Sequence, residues 1–304
     1  MSDKIKFRSG FVTITGRPNV GKSTLMNLFI GDKVAIVSAK PQTTRNKITG
    51  ILTRENFQIV FIDTPGIHAP RTKLGEFMMR EADSAVKDVD CVIFMVAPPK
   101  HGKIDSADME IIQKLKKREC PVILVINKID TIAKPEVLEM IKLFAETEAF
   151  TDIVPTSAIN AENTNELLAV VSKYLPEGPK YFPDDMITDQ PERQIASEII
   201  REKTLFYLQD EIPHGIAVEI ESMKKREDKD LFDVEANIFC ERDSHKAIII
   251  GKGGETLKKV GAAARFDLQR LLGSPVYLRL WVKAKKNWRE SDVMLRNFGY
   301  REQK

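Results

Sequence analysis

The 304-residue sequence has little cysteine and no pattern to what it has. Cys91, Cys120 and Cys240 are an odd number without a CxxC pair. That excludes a disulfide scaffold and a zinc ribbon, and fits a reducing compartment. Long hydrophobic runs are also missing. The longest, Cys91–Ala97, has 7 residues, whereas a membrane-spanning helix needs about 20. The opening Met-Ser-Asp-Lys-Ile-Lys-Phe-Arg lacks the apolar stretch of a secretory signal. No internal repeat and no low-complexity tract stands out. The net charge is only +3, but it is unevenly spread. Residues 244–304 carry 14 Lys and Arg against 5 Asp and Glu, and the rest carry 33 against 39. A basic end of this kind points to a polyanion, either nucleic acid or an anionic membrane surface.

What is present suits a globular chain of two domains. It is 42% hydrophobic, too apolar for a disordered chain. Phe11–Thr15, Phe57–Ile62, Cys91–Val96 and Val122–Ile126 read as buried strands. Helical patterns at Ser106–Arg118 and Pro135–Phe150 lie between them, so an α/β domain with a mostly parallel sheet is expected over residues 1–176. A Pro-rich, acidic stretch follows, read as a linker over 177–192. Residues 193–304 then give a helix (193–209) and two alternating stretches, Ile216–Glu221 and Phe232–Phe239, joined by the hairpin loop 224–230. After Ala247–Ile250 come a glycine loop, a helix to about Leu272, a strand at Val276–Val282 and a final basic helix. This order, α-β-β-α-α-β, predicts a smaller α+β domain.

Gly16-Arg-Pro-Asn-Val-Gly-Lys22-Ser23, directly after the first strand, has the spacing of a phosphate-binding loop. Its glycines let backbone N–H groups of Gly16, Asn19, Val20 and Gly21 curl around phosphates. The helix through Lys22, Ser23 and Thr24 turns its positive end on them. Lys22 reaches the β- and γ-phosphates, and the Ser23 hydroxyl is a Mg²⁺ ligand. Asn127-Lys128-Ile129-Asp130 follows a buried strand. Asp130 can accept from both the N1–H and the 2-amino group of guanine, a donor pair adenine lacks. Asn127 can reach the other edge of the base, and the Lys128 stem can lie across its face. Asp63-Thr-Pro-Gly66 follows a third strand. Asp63 there suits Mg²⁺ and the Gly66 N–H the γ-phosphate. Pro41-Gln-Thr43-Thr44-Arg45 lies between these motifs and offers a threonine to the metal, Thr44 in preference to Thr43. Arg17 and Arg45 face the same phosphate region. Ile248-Ile-Ile-Gly251-Lys252-Gly253-Gly254 is a GxxG loop flanked by helices. It resembles a KH domain, of type II by element order, whose loop clamps an RNA backbone. Lys252 adds charge to the loop and Lys258 lies on the helix after it.

These motifs in this order resemble translation-factor-like GTPases, and the wording GRPNVGKS, PQTTR, DTPGIH and NKID is similar to the Era family of bacterial GTPases. The resemblance spans nearly the whole chain. It implies GTP/GDP and Mg²⁺ as ligands, Lys22, Thr44 and Gly66 at the reacting phosphate, and hydrolysis of GTP to GDP and phosphate. At Ser157-Ala158 it implies a backbone N–H to the guanine oxygen. For the KH half it implies the 3′ end of small-subunit ribosomal RNA and a role in 30S subunit assembly. A monomer is expected, in the cytoplasm or peripheral at the inner face of the membrane. Where Ras-like enzymes carry a water-orienting glutamine, this chain has Ile67. Turnover without a partner is therefore expected near ~10⁻⁴–10⁻² s⁻¹. His68 is a weak substitute base. Asn19 is a candidate for holding a K⁺ ion. The alternative reading is a GTPase signalling at the membrane surface, docked by Lys283, Lys285, Lys286 and Arg289. A vestigial nucleotide site is disfavoured, because Lys22, Ser23, Asp63 and NKID are all intact. The γ-phosphate is expected to order the Thr44 loop and couple nucleotide state to RNA affinity.

Overall fold

The computed structural model describes residues 6–38, 40, 42–66, 72–99, 102–208 and 212–300. They form two compact units, one of residues 1–35, 44–69 and 78–189, the other of 36–43, 70–77 and 190–304.

The first unit is built on β1 (Arg8–Thr15), β2 (Ile48–Thr53), β3 (Phe57–Asp63), β4 (Cys91–Val96), β5 (Val122–Ile126) and β6 (Asp152–Pro155). The sheet order is β2-β3-β1-β4-β5-β6, parallel throughout except that β2 runs antiparallel to β3. Every residue of β4 and β5 is buried, which explains why those strands are continuous apolar runs. Helices α1 (Lys22–Ile30), α2 (Lys73–Ala85, of which residues 78–85 belong to this unit), α3 (Ser106–Leu115), α4 (Lys134–Ala145) and α5 (Thr164–Tyr174) connect them. Leu25, Phe29, Leu167 and Val171 share one apolar cluster with Val12 and Ile14, while Ile111, Leu115, Met140 and Phe144 share another with Phe94 and Leu124. The sheet is thus covered on both faces. Because the strands are parallel, Thr15, Asp63, Ile126 and Pro155 all end at the same edge, where open α/β sheets bind ligands.

The expected strands all form. The linker does not behave as one up to Asp189: its backbone is hydrogen-bonded along the first unit. Gln58 donates to the Phe182 carbonyl at 2.9 Å and accepts from the N–H groups of Tyr181 (2.7 Å) and Phe182 (3.0 Å). The Ile51 N–H donates to the Ile187 carbonyl at 2.8 Å, and the ring of Tyr181 lies on Phe11.

The second unit has α6 (Glu192–Tyr207), β7 (Ala217–Lys225), β8 (Phe232–Cys240), α7 (Asp243–Ile250), α8 (Glu255–Leu272), β9 (Val276–Ala284) and α9 (Asp292–Asn297). Its sheet runs β7-β8-β9, with β8 antiparallel to β7 and parallel to β9. Ile195, Ile199, Val234, Ile238, Val260, Leu268 and Val282 form its core. This is the α-β-β-α-α-β order that the sequence predicts.

Candidate functional site

The phosphate loop starts where β1 ends. Gly16 and Gly21 have φ of 144° and 110°, values open to glycine. A Cβ on Gly16 would lie 2.2 Å from the Met95 carbonyl oxygen, so side chains are excluded from this turn. Asn19 is exposed, Val20 is buried, and α1 begins at Lys22 with Ser23 and Thr24 half-buried in its first turn. The Lys22 ammonium folds back on the loop, donating to the carbonyls of Gly16 (3.1 Å) and Arg17 (3.0 Å). Burial pulls its pKa down to about 8, against the opposing pull of Asp63.

Three oxygen donors meet beside it. The Ser23 hydroxyl donates to Asp63 Oδ2 at 2.6 Å and lies 3.1 Å from Thr44 Oγ1, which is 3.4 Å from the same carboxylate oxygen. Asp63 is fully buried and its carboxyl is raised above the usual range by burial, with Lys22 and these hydroxyls pulling the other way. Its Oδ1 has no hydrogen-bond partner among the described residues. Hard oxygen donors around an orphaned buried carboxylate oxygen fit Mg²⁺. Thr43 is turned away: its hydroxyl donates to the Lys40 carbonyl at 2.6 Å. Gly66 lies against the phosphate loop, and a Cβ there would come within 2.8 Å of Pro18 Cα.

After β5, Ile129–Thr131 is a single 3-10 turn, entered through Lys128 with φ 64°. The Asp130 carboxylate accepts from the Ser157 hydroxyl at 2.5 Å, and Lys128 Nζ donates to the Asn19 carbonyl at 2.7 Å. Asn127 is almost fully buried. It donates to the Val20 carbonyl at 2.8 Å and accepts from the Ala158 N–H at 2.9 Å and the Thr156 hydroxyl at 3.3 Å. It therefore ties the phosphate loop, the base loop and the Thr156–Ala158 loop together. Nothing in the local spelling signals this, because Val20 is 107 positions away.

Arg17 is corrected by the structure. Its guanidinium turns to α3 rather than to phosphate territory, pairing with Asp105 and Asp108 at 2.8 Å each. Arg45 is buried. Ile67, His68 and Pro41 lie outside the described residues.

In the second unit, Gly251 (φ 76°) ends α7, Lys252–Gly254 make a 3-10 turn, and Gly254 (φ 82°) opens α8. A Cβ on Gly251 would sit 2.3 Å from Thr256 Oγ1. Lys252, Gly253 and Lys258 are exposed, and neither lysine has an ion-pair partner among the described residues. A glycine-rich turn entering a helix, with exposed lysines beside it, is chemically suited to a phosphodiester backbone.

Comparisons with known proteins agree with this division. The family described as "50S ribosome-binding GTPase" matches residues 11–128, and the KH domain family matches residues 211–289. A protein of Clostridioides difficile (strain 630), GTPase Era, is 57% identical over 97% of this chain and 99% of its own length. GTPase Era of Clostridium kluyveri is 53% identical over 97% of this chain and 99% of its own. Among solved structures, Era in complex with MgGDPNP and nucleotides 1506–1542 of 16S ribosomal RNA is 42% identical with a TM-score of 0.92, covering 97% of this chain and 99% of that one. An Aquifex aeolicus Era variant bound to GDP and aluminium fluoride is 41% identical with the same TM-score, over the same shares of the two chains.

Proposed function

The chain belongs to the Era family of GTPases, and on that premise we propose that it is a GTP-hydrolysing switch that binds the 3′ end of 16S ribosomal RNA and assists 30S subunit assembly. The observation that carries this reading is the presence, on one chain, of the Ser23–Thr44–Asp63 oxygen cluster and a GxxG loop with exposed lysines. The full-length likeness to a protein solved on 16S RNA favours the small subunit as the target.

The reaction is GTP + H₂O → GDP + phosphate, and the protein's part is positioning and charge compensation. Asp130 selects guanine. The loop from Gly16 to Ser23 presents N–H groups to the phosphates. Lys22 exchanges its two carbonyl partners for β- and γ-phosphate oxygens, and the Gly66 N–H contacts the γ-phosphate. Ser23, Thr44 and Asp63 would hold Mg²⁺, which when bound withdraws charge from the phosphate oxygens. A monovalent cation at Asn19 fits the same scheme; faster hydrolysis in KCl than in NaCl is its expected sign. Gly251, Lys252, Gly253, Gly254 and Lys258 hold the RNA backbone.

The reading also places the protein in the cytoplasm. No helix among the described residues is long and apolar enough to cross a membrane. The test is GTP hydrolysis with a short RNA copying the 16S 3′ end, beside a scrambled RNA. Selective stimulation by the matching RNA is expected. Binding to neither RNA, with sedimentation on anionic vesicles instead, would replace the ribosomal reading with the membrane one.

A further inference from the structure

The α6 helix carries a group of polar residues that a core-facing helix has no packing use for. Arg201 is fully buried, and Glu202 beside it is 7% exposed. The Arg201 guanidinium donates to Glu198, through Nε at 2.9 Å and through Nη2 at 2.5 Å, and its Nη2 also donates to the Thr43 carbonyl. Glu202 Oε1 accepts from the Val37 N–H at 2.9 Å. Residues 36–43 belong to the same compact unit as α6, so these are bonds inside one unit. Between the two anchored points the Thr43 hydroxyl donates to the Lys40 carbonyl at 2.6 Å, and the Lys40 N–H donates to Ser38 Oγ at 3.1 Å. Val37 and Thr43 are thus each held by one of two adjacent residues of one helix.

The next residue after the grip is Thr44, the threonine whose hydroxyl lies at Ser23 and Asp63. Displacing the Thr43 carbonyl displaces the Thr44 N and Cα through one planar peptide bond. A fully buried arginine without its carbonyl acceptor is costly, so the grip is held unless something replaces it.

We propose that Arg201 and Glu202 are positioning residues of the GTPase reaction, holding residues 37–43 so that Thr44 stands ready for the metal and the γ-phosphate. The inference rests on the GTPase reading above and adds to it a route by which α6, a helix of the RNA-binding unit, sets the hydrolytic rate. GDP, which has no γ-phosphate, gains little from the grip, whereas GTP and the metal it brings gain from it.

The experiment uses the full-length protein and four variants, Arg201→Lys, Arg201→Gln, Glu202→Ala and Glu202→Gln. It records single-turnover GTP hydrolysis as a function of Mg²⁺ concentration, and GDP and non-hydrolysable GTP affinity by fluorescence. Arg201→Lys keeps a charge but loses the planar fork that serves Glu198 and Thr43 together. Glu202→Gln keeps a side-chain oxygen that can accept from Val37, and Glu202→Ala does not. Expected for Glu202→Ala and both Arg201 variants is a five- to tenfold slower hydrolysis, a higher Mg²⁺ requirement and GDP affinity within twofold of wild type. Glu202→Gln should restore the wild-type values. A fold defect would lower GDP and GTP affinity together and would not be rescued by Gln. Hydrolysis and Mg²⁺ dependence unchanged in Glu202→Ala and in the Arg201 variants overturn the proposal while leaving the GTPase reading intact. A wild-type protein that binds GDP but does not hydrolyse GTP overturns both. Should the Arg201 variants not fold, the Glu202 pair decides alone.

Discussion

Lys22 is a cation buried before its anionic partner arrives, and this has a consequence in pH. Its pKa in the nucleotide-free protein is pulled down to about 8, chiefly by burial. Phosphates bind the protonated form, so binding raises that pKa again. Affinity for GDP is therefore expected to be flat below about pH 7, to fall about twofold by pH 8 and about fivefold more by pH 9 as the ammonium is lost. Stability of the nucleotide-free protein runs the other way. The unfolded chain holds its proton up to about pH 10.4. Between pH 8 and that value the unfolded state binds more protons, and deprotonating Lys22 raises the free energy of unfolding. Titration calorimetry from pH 7 to 9 and denaturant melts over pH 8 to 10 check the two signs. Asp130 gives a second test. On the proposed reading its carboxylate would accept from both guanine donors; Asp130→Asn offers one donor and one acceptor, the complement of xanthine. GTP affinity should fall by at least tenfold and XTP affinity should rise, read by competition against fluorescent GDP.

The elements that hold the site differ in how plainly the sequence announces them. Strands buried on both faces, such as Cys91–Val96, spell an unbroken apolar run and are read directly. The phosphate and base loops are legible because their chemistry sits in contiguous residues after those strands. Strand Ile48–Thr53 is harder to see: a glycine at its centre and a threonine near each end dilute the apolar signal, and its partner lies on the other side of a turn. The segment up to Asp189 misleads in the opposite way, since its prolines signal loop while its backbone carbonyls and N–H groups find Gln58 and Ile51. Asn127 and Arg201 work through partners more than a hundred residues away, which no local pattern encodes. The α7–α8 turn yields a sharp contrast. Gly251→Ala forces a Cβ to within 2.3 Å of Thr256 and keeps φ at 76°, and should destabilise the second unit by about 1–3 kcal/mol, measured by thermal melting. Lys252→Ala and Lys258→Ala meet no such strain. Each is expected to weaken RNA binding and reduce the slope of log K against log salt by about 1, in filter-binding titrations.

At the scale of the whole molecule, the described residues form three apolar clusters, one on each face of the six-stranded sheet and one on the three-stranded sheet. Calorimetric unfolding is expected to resolve two transitions. GDP at 100 times its Kd should lift the one belonging to the first unit by about 2.7 kcal/mol. Gly251→Ala should lower the other. Chain order nevertheless does not follow the cores. The second unit takes residues 36–43 and 70–77 as well as everything from 190 onward. A gene cut at the apparent boundary would therefore release an RNA-binding piece whose α6 has lost both its carbonyl at Thr43 and its N–H at Val37.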